Sequence, residues 1–263
     1  MVNALAGLGF LFINADQNKF LHWALNLIFR YSFNNPQIRF ILQNKDDLDM
    51  IQNLNILKPN QIKLIKGSGV DLNHYSYCQE PSDEIIKVVL PARMLWDKGV
   101  GEFVEAANLL YSKYKNCAEF ILAGMADLEN VSGISILQLE KWSNTKVVTW
   151  VGFQEDVKKM VSNAHIIVLP SYREGLPKSL IEACAIGRPI VTTNVPGCRE
   201  VVNNGINGIL VPVKNVDALA NAIERLILDR ELRVSMGLEG RKMAEKEFSI
   251  EKVIDETFEL YNK

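Results

Sequence analysis

The chain has 263 residues, a hydrophobic share of 48%, a charged share of 23% and a formal net charge of -2. These values are typical of a globular protein with one large or two small domains, and they give no basic footprint for nucleic acid. No run of about 20 apolar residues, the length that spans a bilayer, occurs. Its four cysteines form no C-x-x-C pair and are expected to be free, buried thiols of a protein in the reducing cytoplasm.

The first part of the chain is predicted to form only part of an α/β domain. The segments "QIRFILQN" (37–44) and "IKLIKGSGV" (62–70) are typical of strands. The segment "KFLHWALNLIFRYSF" (19–33) is typical of a helix with one apolar face. That face either packs inside the domain, which we favour because such stripes usually do, or makes a peripheral membrane contact.

From residue 85 onward, apolar runs alternate with amphipathic helical patterns. Strands are predicted at 85–92, 119–124, 145–152, 165–170, 189–193 and 208–212. Helices are predicted at 99–115, 154–164, 177–187 and 215–229, followed by two more. Apolar strands separated by helices indicate a parallel sheet covered on both faces, which is a doubly wound, Rossmann-like domain.

The stretch "SYREGLPKSLIEACAIG" (171–187) is predicted to be a strand-to-helix junction at the carboxyl edge of this sheet. Pro177 suits the first position of the helix, and Gly175 allows a tight turn before it. The amides of Lys178 and Ser179 would then lack intrahelical partners. Free amides at the positive end of a helix favour a bound phosphate.

Two glutamates, Glu174 and Glu182, stand eight residues apart in this stretch. Glu174 falls on the loop and Glu182 lies one to two turns into the helix. Carboxylates accept hydrogen bonds from sugar hydroxyls, so the pair could straddle a ligand whose phosphates sit at the helix start. In the alternative, Glu174 only caps the helix electrostatically and Glu182 lies on a solvated face.

A second cluster lies in "LPARMLWDKGV" (90–100), directly after the first strand of the same sheet. Arg93 and Lys98 could clamp a diphosphate, the arginine as a fork and the lysine as a point charge. The alternative is a pair of solvated loop cations. Together with the helix start, the two cations predict a site for a nucleotide diphosphate linked to a group rich in hydroxyls.

These motifs resemble one known family. The segments "ARMLWDKG", "WVGF", "VLPSYREGLPKSLIEA" and "GRPIVTTNVPGCREVV" are similar, in order and spacing, to the retaining family 4 glycosyltransferases of the GT-B fold. The segments "VNALAGLGFLF", "FILQNKDD" and "LIKGSGVDLN" resemble the later part of that family's N-terminal domain and its linker. The likeness is to the branch that builds bacterial surface polysaccharides.

The resemblance implies a GT-B-like α/β fold with three parts. Residues 1–75 would be a partial, acceptor-side N-terminal domain that lacks its usual first β-α units. Residues 76–247 would be a complete, Rossmann-like donor-binding domain. Residues 248–263 would be a helix that crosses back to the N-terminal domain.

The resemblance also implies a role for each site residue. Arg93 and Lys98 would neutralise the donor diphosphate, and Glu174 would hold the hydroxyls of the donor sugar. These three are the expected catalytic residues. The expected donor-binding residues are those of the phosphate turn and helix start, the ribose-binding glutamate and the base-pocket loop: Gly175, Leu176, Pro177, Lys178, Ser179, Glu182, Val151 and Phe153. Phe153 could instead be a core residue.

The implied reaction is transfer of a sugar, with retention, from a nucleotide-diphosphate sugar, with UDP expected, to a lipid-linked or polysaccharide acceptor at the inner face of the membrane. No metal or other cofactor is expected. Two alternatives stay open. The chain could be a truncated donor-binding module, inactive alone or completed by a separate N-terminal polypeptide. It could also be a related enzyme of the same fold, such as a nucleotide-sugar 2-epimerase.

Overall fold

The structure is a computed structural model and describes residues 2–5, 38–53 and 57–261. The helix predicted at 19–33, with its packed and membrane-bound alternatives, lies outside these residues. In the described ranges, no helix combines the length and apolar character that crossing a membrane requires.

A small parallel sheet forms the first part of the fold. Its three strands pair in the order β1 (Val2–Leu5), β2 (Arg39–Leu42) and β3 (Ile62–Leu64). The strands β2 and β3 confirm two sequence predictions, although both are shorter than predicted. Phe40 and Leu42 are buried against Ile51 of the helix α1 (Lys45–Asn53) and form a small core. Neither β1 nor α1 was predicted.

A sheet of six parallel strands forms the larger part. Its strands are β4 (Ile86–Pro91), β5 (Ala118–Ala123), β6 (Val148–Gly152), β7 (Ile166–Leu169), β8 (Ile190–Thr193) and β9 (Gly208–Val211). They lie in the order β6-β5-β4-β7-β8-β9. Every residue of β7 and β8 is buried, as expected for strands covered on both faces. The Rossmann-like sheet predicted from the sequence is confirmed.

Helices cover both faces of this sheet. They are α2 (Val100–Tyr114), α3 (Ile136–Asn144), α4 (Val157–Ser162), α5 (Lys178–Ile186), α6 (Cys198–Val201), α7 (Val216–Leu228) and α8 (Arg230–Glu247), and the chain continues into a further helix, α9 (Ile250–Tyr261). One apolar core lies under α2 and α7, and a second lies under α5 and α8. The predicted stripe on α2 is confirmed, because Phe103, Ala106, Ala107 and Leu110 are all buried.

All four cysteines are free, as predicted, but only Cys184 and Cys198 are buried, whereas Cys117 is exposed in the turn between α2 and β5. The helix α9 contacts the small sheet, because the Lys63 ammonium lies 2.8 Å from the Glu259 carboxylate.

The strand order sets the position of the site. The chain leaves β4 towards β5 on one side and leaves β7 towards β8 on the other, while β4 and β7 are neighbours. Such a switch point opens a crevice at the carboxyl edge of a parallel sheet. The loops that follow β4 and β7, which carry both predicted clusters, therefore meet at this crevice.

Candidate functional site

The two predicted clusters meet in an ion pair. The Lys98 ammonium lies 2.6 Å from Oε1 of Glu174, and the Ser171 hydroxyl donates a hydrogen bond of 2.7 Å to the same oxygen. The side chains of Lys98 and Glu174 are only 21% and 11% exposed. Gly99 permits this approach, because it has a φ of 72° and any Cβ there would collide with the carbonyl of Pro170. Electrostatic capping of the helix alone does not describe Glu174.

The helix α5 begins beside this ion pair. The prediction that Pro177 is its first residue is wrong, since Pro177 is the N-cap, with a φ of −73° and a ψ of 112°, and Lys178 is the first helical residue. The proline ring fixes φ alone, and this φ suits an extended residue as well as a helical one. The amides of Leu180 and Ile181 donate to the carbonyl of Pro177. Among the described residues, the amides of Lys178 and Ser179 have no such bond, as predicted.

A cleft of about 710 Å³ opens in front of α5. Four predicted site residues line it: Arg93, Phe153, Ser179 and Glu182. Phe153 is 64% exposed, so the alternative that it is a core residue is wrong. Val151 does not line this cleft but an adjacent cavity of about 410 Å³, which shares Gln154 and Met160 with it.

Glu182 is buried at the wall of the cleft. Its residue is 5% exposed, so the alternative of a solvated helix face is wrong. Burial raises the pKa of the Glu182 carboxyl, and hydrogen bonding to Tyr75 and the Lys178 ammonium opposes that rise. The Lys178 ammonium lies 3.7 Å from Oε1 of Glu182. Tyr75 was missed, because it comes from the polar segment 71–84, where no periodic pattern marks it.

Arg93 and Lys98 have separate partners. Nη1 of Arg93 donates to Oδ2 of Asp127 at 2.7 Å, whereas Lys98 turns towards Glu174. The Arg93 side chain is 60% exposed, so water screens its pair with Asp127 and the bond is easily exchanged for one to a ligand. Asp127 was also missed, because nothing in its local sequence pairs it with a residue 34 positions away.

Two glycines support the phosphate turn from below. A Cβ at Gly197, where φ is 80°, would lie 2.6 Å from the carbonyl oxygens of Glu174 and Gly175. A Cβ at Gly67 would lie 2.5 Å from Cδ2 of Leu176. The backbone of the turn that carries Glu174 therefore packs closely on Gly197, and the Leu176 side chain packs on Gly67 of a separate segment.

The residues described here include no group of three or more His, Cys, Asp or Glu placed to hold a metal ion. His165 is fully buried away from the cleft, and its Nδ1 accepts a hydrogen bond from the Lys87 amide. The expectation of a reaction without metal stays a prediction.

Relatives of known name share much of this sequence. The chain is 32% identical over 243 residues to the N,N'-diacetylbacillosaminyl-diphospho-undecaprenol α-1,3-N-acetylgalactosaminyltransferase of Campylobacter jejuni, covering 88% of this chain and 62% of the relative. It is 31% identical to the capsular polysaccharide biosynthesis glycosyltransferase CapM of Staphylococcus aureus, covering 65% of this chain and 44% of the relative. The chain thus spans less than two thirds of the length of these curated relatives.

Solved structures share the fold. The Anabaena protein Alr3699/HepE in complex with UDP and glucose matches with a TM-score of 0.76 at 20% identity, over 90% of this chain and 67% of its own. The sucrose-phosphate synthase of Thermosynechococcus elongatus matches with a TM-score of 0.80 at 23% identity, over 99% of this chain and 67% of its own. The GT-B-like fold implied by the resemblance is confirmed.

The model of the family "Glycosyl transferases group 1" matches residues 79–243, which include the six-stranded sheet and every predicted site residue. That match covers more than half of the 263 residues. The chain belongs to the group 1 glycosyl transferases.

Proposed function

We propose that the chain transfers a sugar, with retention of its anomeric configuration, from a UDP-sugar to a lipid-linked or polysaccharide acceptor. One observation carries the proposal. The uncapped start of α5 and the buried Glu182 lie at one cleft at the switch point of the sheet, and the Lys98–Glu174 pair joins the two loops that meet at this switch point. This arrangement supplies donors for phosphate and acceptors for hydroxyls at the place where open α/β sheets bind ligands.

The donor diphosphate would lie at the start of α5. The free amides of Lys178 and Ser179 would donate to it, and the positive end of the helix would favour its charge. Lys98 and Arg93 would then stabilise the negative charge that develops on the leaving diphosphate as the glycosidic bond breaks. Each cation now holds a carboxylate, and each would exchange that partner for phosphate oxygens on binding.

The sugar and the nucleoside would bind on either side of the diphosphate. In the described residues, both contacts of the Glu174 carboxylate fall on Oε1, which leaves Oε2 to accept from a sugar hydroxyl. Glu182 would accept from the ribose hydroxyls at the wall of the cleft. The exposed ring of Phe153 would stack on the base. The turn at Gly175–Pro177 sets the distance between these two subsites.

The acceptor is proposed from the names of relatives. The Campylobacter jejuni protein is named for an acceptor linked to diphospho-undecaprenol, and an Escherichia coli relative, 25% identical, is named for a GlcNAc-diphosphoundecaprenol acceptor. An acceptor of that kind would be presented at the inner face of the membrane. We further propose the division at 1–75, 76–247 and 248–263, with the donor site in the second part.

Calorimetric titration of the whole 263-residue chain with UDP and a panel of UDP-sugars tests the donor site. We expect micromolar binding, about −8 kcal/mol. A folded chain that binds GDP- or ADP-sugars instead would overturn the choice of base, and one that binds no nucleotide sugar would overturn the proposal.

A transfer assay on a lipid-diphosphate-linked sugar tests the reaction. We expect transfer that EDTA leaves intact. Binding without transfer would favour a donor-binding module completed by a separate N-terminal polypeptide. Release of an epimerised nucleotide sugar without acceptor would favour the 2-epimerase alternative.

A further inference from the structure

The first turn of α1 is built around two buried polar side chains. Asn44 and Asp47 are 0% and 1% exposed. Oδ1 of Asn44 accepts from the Asp47 amide at 2.8 Å and caps the helix, while Nδ2 of Asn44 donates to Oδ2 of Asp47 at 2.9 Å. Each side chain therefore fixes the rotamer of the other.

This turn is hydrogen-bonded to the loop that carries Glu174. The second proton of the Asn44 amide goes to the carbonyl of Gly175, at 2.9 Å. Oδ1 of Asp47 accepts from Nη2 of Arg173 at 2.7 Å. The two contacts hold the residues immediately before and after Glu174, and they join segments 126 and 131 positions apart in the chain.

The contacts of Asn44 and Asp47 with this loop are costly to break. The Asp47 carboxylate is buried, and Arg173 is the cation that pairs with it. A buried carboxylate that loses its cation is strongly unfavourable. The Asn44 amide has both protons and its oxygen engaged, so it has no alternative arrangement at this position.

A second set of contacts on the same turn offers an internal control. Asp46 pairs with Arg199 at 3.1 Å, and the Lys45 amide donates to Glu200 at 3.1 Å. These contacts reach Arg199 and Glu200 of α6, and not the residues on either side of Glu174. The Asp46 pair is also more than one third exposed on both sides, so its loss should be mild.

We propose that Asn44 and Asp47 are positioning residues for sugar binding: they hold Arg173 and Gly175, and thereby set the place of the Glu174 carboxylate relative to the start of α5. This inference rests on the proposed function, in which Glu174 holds the donor sugar. It means that residues of the first part of the chain hold the loop of the donor-sugar subsite, although Glu174 itself lies in the second.

The test compares the affinity for UDP with the affinity for the UDP-sugar that binds the wild-type chain most tightly. Both are measured by calorimetric titration of the full chain. In Asp47→Asn we expect no loss of UDP affinity, because the nucleotide contacts lie in the cleft and any displacement of Glu174 leaves Lys98 free for the diphosphate. We expect the affinity for the UDP-sugar to fall about tenfold, a usual coupling between residues in contact. In the matched control Asp46→Asn, both affinities should stay at wild-type values.

The outcomes separate the inference from the proposed function. A wild-type chain that binds no nucleotide sugar overturns the proposed function and the inference with it. If the wild-type chain binds and the Asp47→Asn variant binds both ligands as tightly as the wild type does, the inference alone is overturned. An equal loss for UDP and UDP-sugar also overturns it, because a general loss of structure would act on both.

A second variant covers the case in which Asp47→Asn does not fold. The double variant Asp47→Asn/Arg173→Gln removes both charges, so no ion is left buried without a partner. We expect it to melt near the wild-type temperature and to show the same selective loss of UDP-sugar affinity. Wild-type affinity for both ligands in this folded variant would refute the positioning role.

Discussion

Substitutions of Lys98 and of Glu174 should change UDP affinity in opposite directions. In the free chain the Lys98 ammonium is held by Glu174 at 2.6 Å, and on binding it would turn to the diphosphate. Lys98→Met removes the cation and should weaken UDP binding. Glu174→Gln removes the carboxylate that competes for that cation, and it should strengthen UDP binding while slowing sugar transfer.

The partial burial of the pair sets the magnitudes. Two unit charges about 4 Å apart interact by about 4 kcal/mol at an effective dielectric constant of about 20, which is an upper bound here. A hydrogen bond to a charged group contributes about 1.5–3 kcal/mol net, so Lys98→Met should weaken UDP binding by roughly 10- to 150-fold. For Glu174→Gln we expect a gain of about 1 kcal/mol, or roughly fivefold, because water still reaches the pair.

Isothermal titration with UDP at one pH and one salt concentration measures both effects. The control is Lys113→Met, which breaks a surface pair with Glu224 of similar length, 2.8 Å, on the far helices α2 and α7. It should leave UDP affinity unchanged. If Lys98→Met and Glu174→Gln changed UDP affinity in the same direction, or if neither changed it, Lys98 would not exchange between carboxylate and phosphate.

Four further predictions concern the walls of the cleft. Burial raises the pKa of Glu182, and the ribose hydroxyls would bind its ionised form. UDP affinity should therefore fall as the pH drops through that raised pKa, and Glu182→Gln should flatten the profile. The same shift means that the stability contribution of Glu182 is fully present below its unfolded-state pKa and is lost as the pH rises through its folded-state pKa. The free energy of unfolding of the wild-type chain, measured in urea, should therefore fall with pH across that range, and Glu182→Gln should lack this fall. Phe153→Ala should weaken UDP binding by about 1–3 kcal/mol, the range for base stacking. Its melting temperature should change little, because the ring is exposed. A large fall in melting temperature with unchanged UDP affinity would mean that Phe153 has a structural role instead. Arg93→Ala should weaken UDP binding, whereas Asp127→Asn should strengthen it by freeing Arg93. Equal losses of UDP affinity in both variants would show that the Arg93–Asp127 pair itself forms the binding surface.

Local sequence was sufficient for the main sheet and for the position of the phosphate turn. The run 166–169 is apolar at every position and the run 190–193 is β-branched at every position, which favours strands covered on both faces. The alternation of such strands with helices then requires parallel strands, and parallel strands bring the loops that carry Arg93, Lys98 and Glu174 to one edge. The helix α1 escaped prediction because "KDDLDMIQN" is mostly polar and is held by its cap and by its contacts with the other part of the chain.

The partners of the site residues were decided by the tertiary structure. Burial follows from the period of apolar residues along the chain, so sequence alone determined the Rossmann-like sheet, its carboxyl edge and the free amides at the start of α5. A contact between two side chains depends instead on how distant segments pack. For this reason only the fold decided that Arg93 meets Asp127, that Tyr75 reaches Glu182, and that Asn44 and Asp47 hold the loop of Glu174.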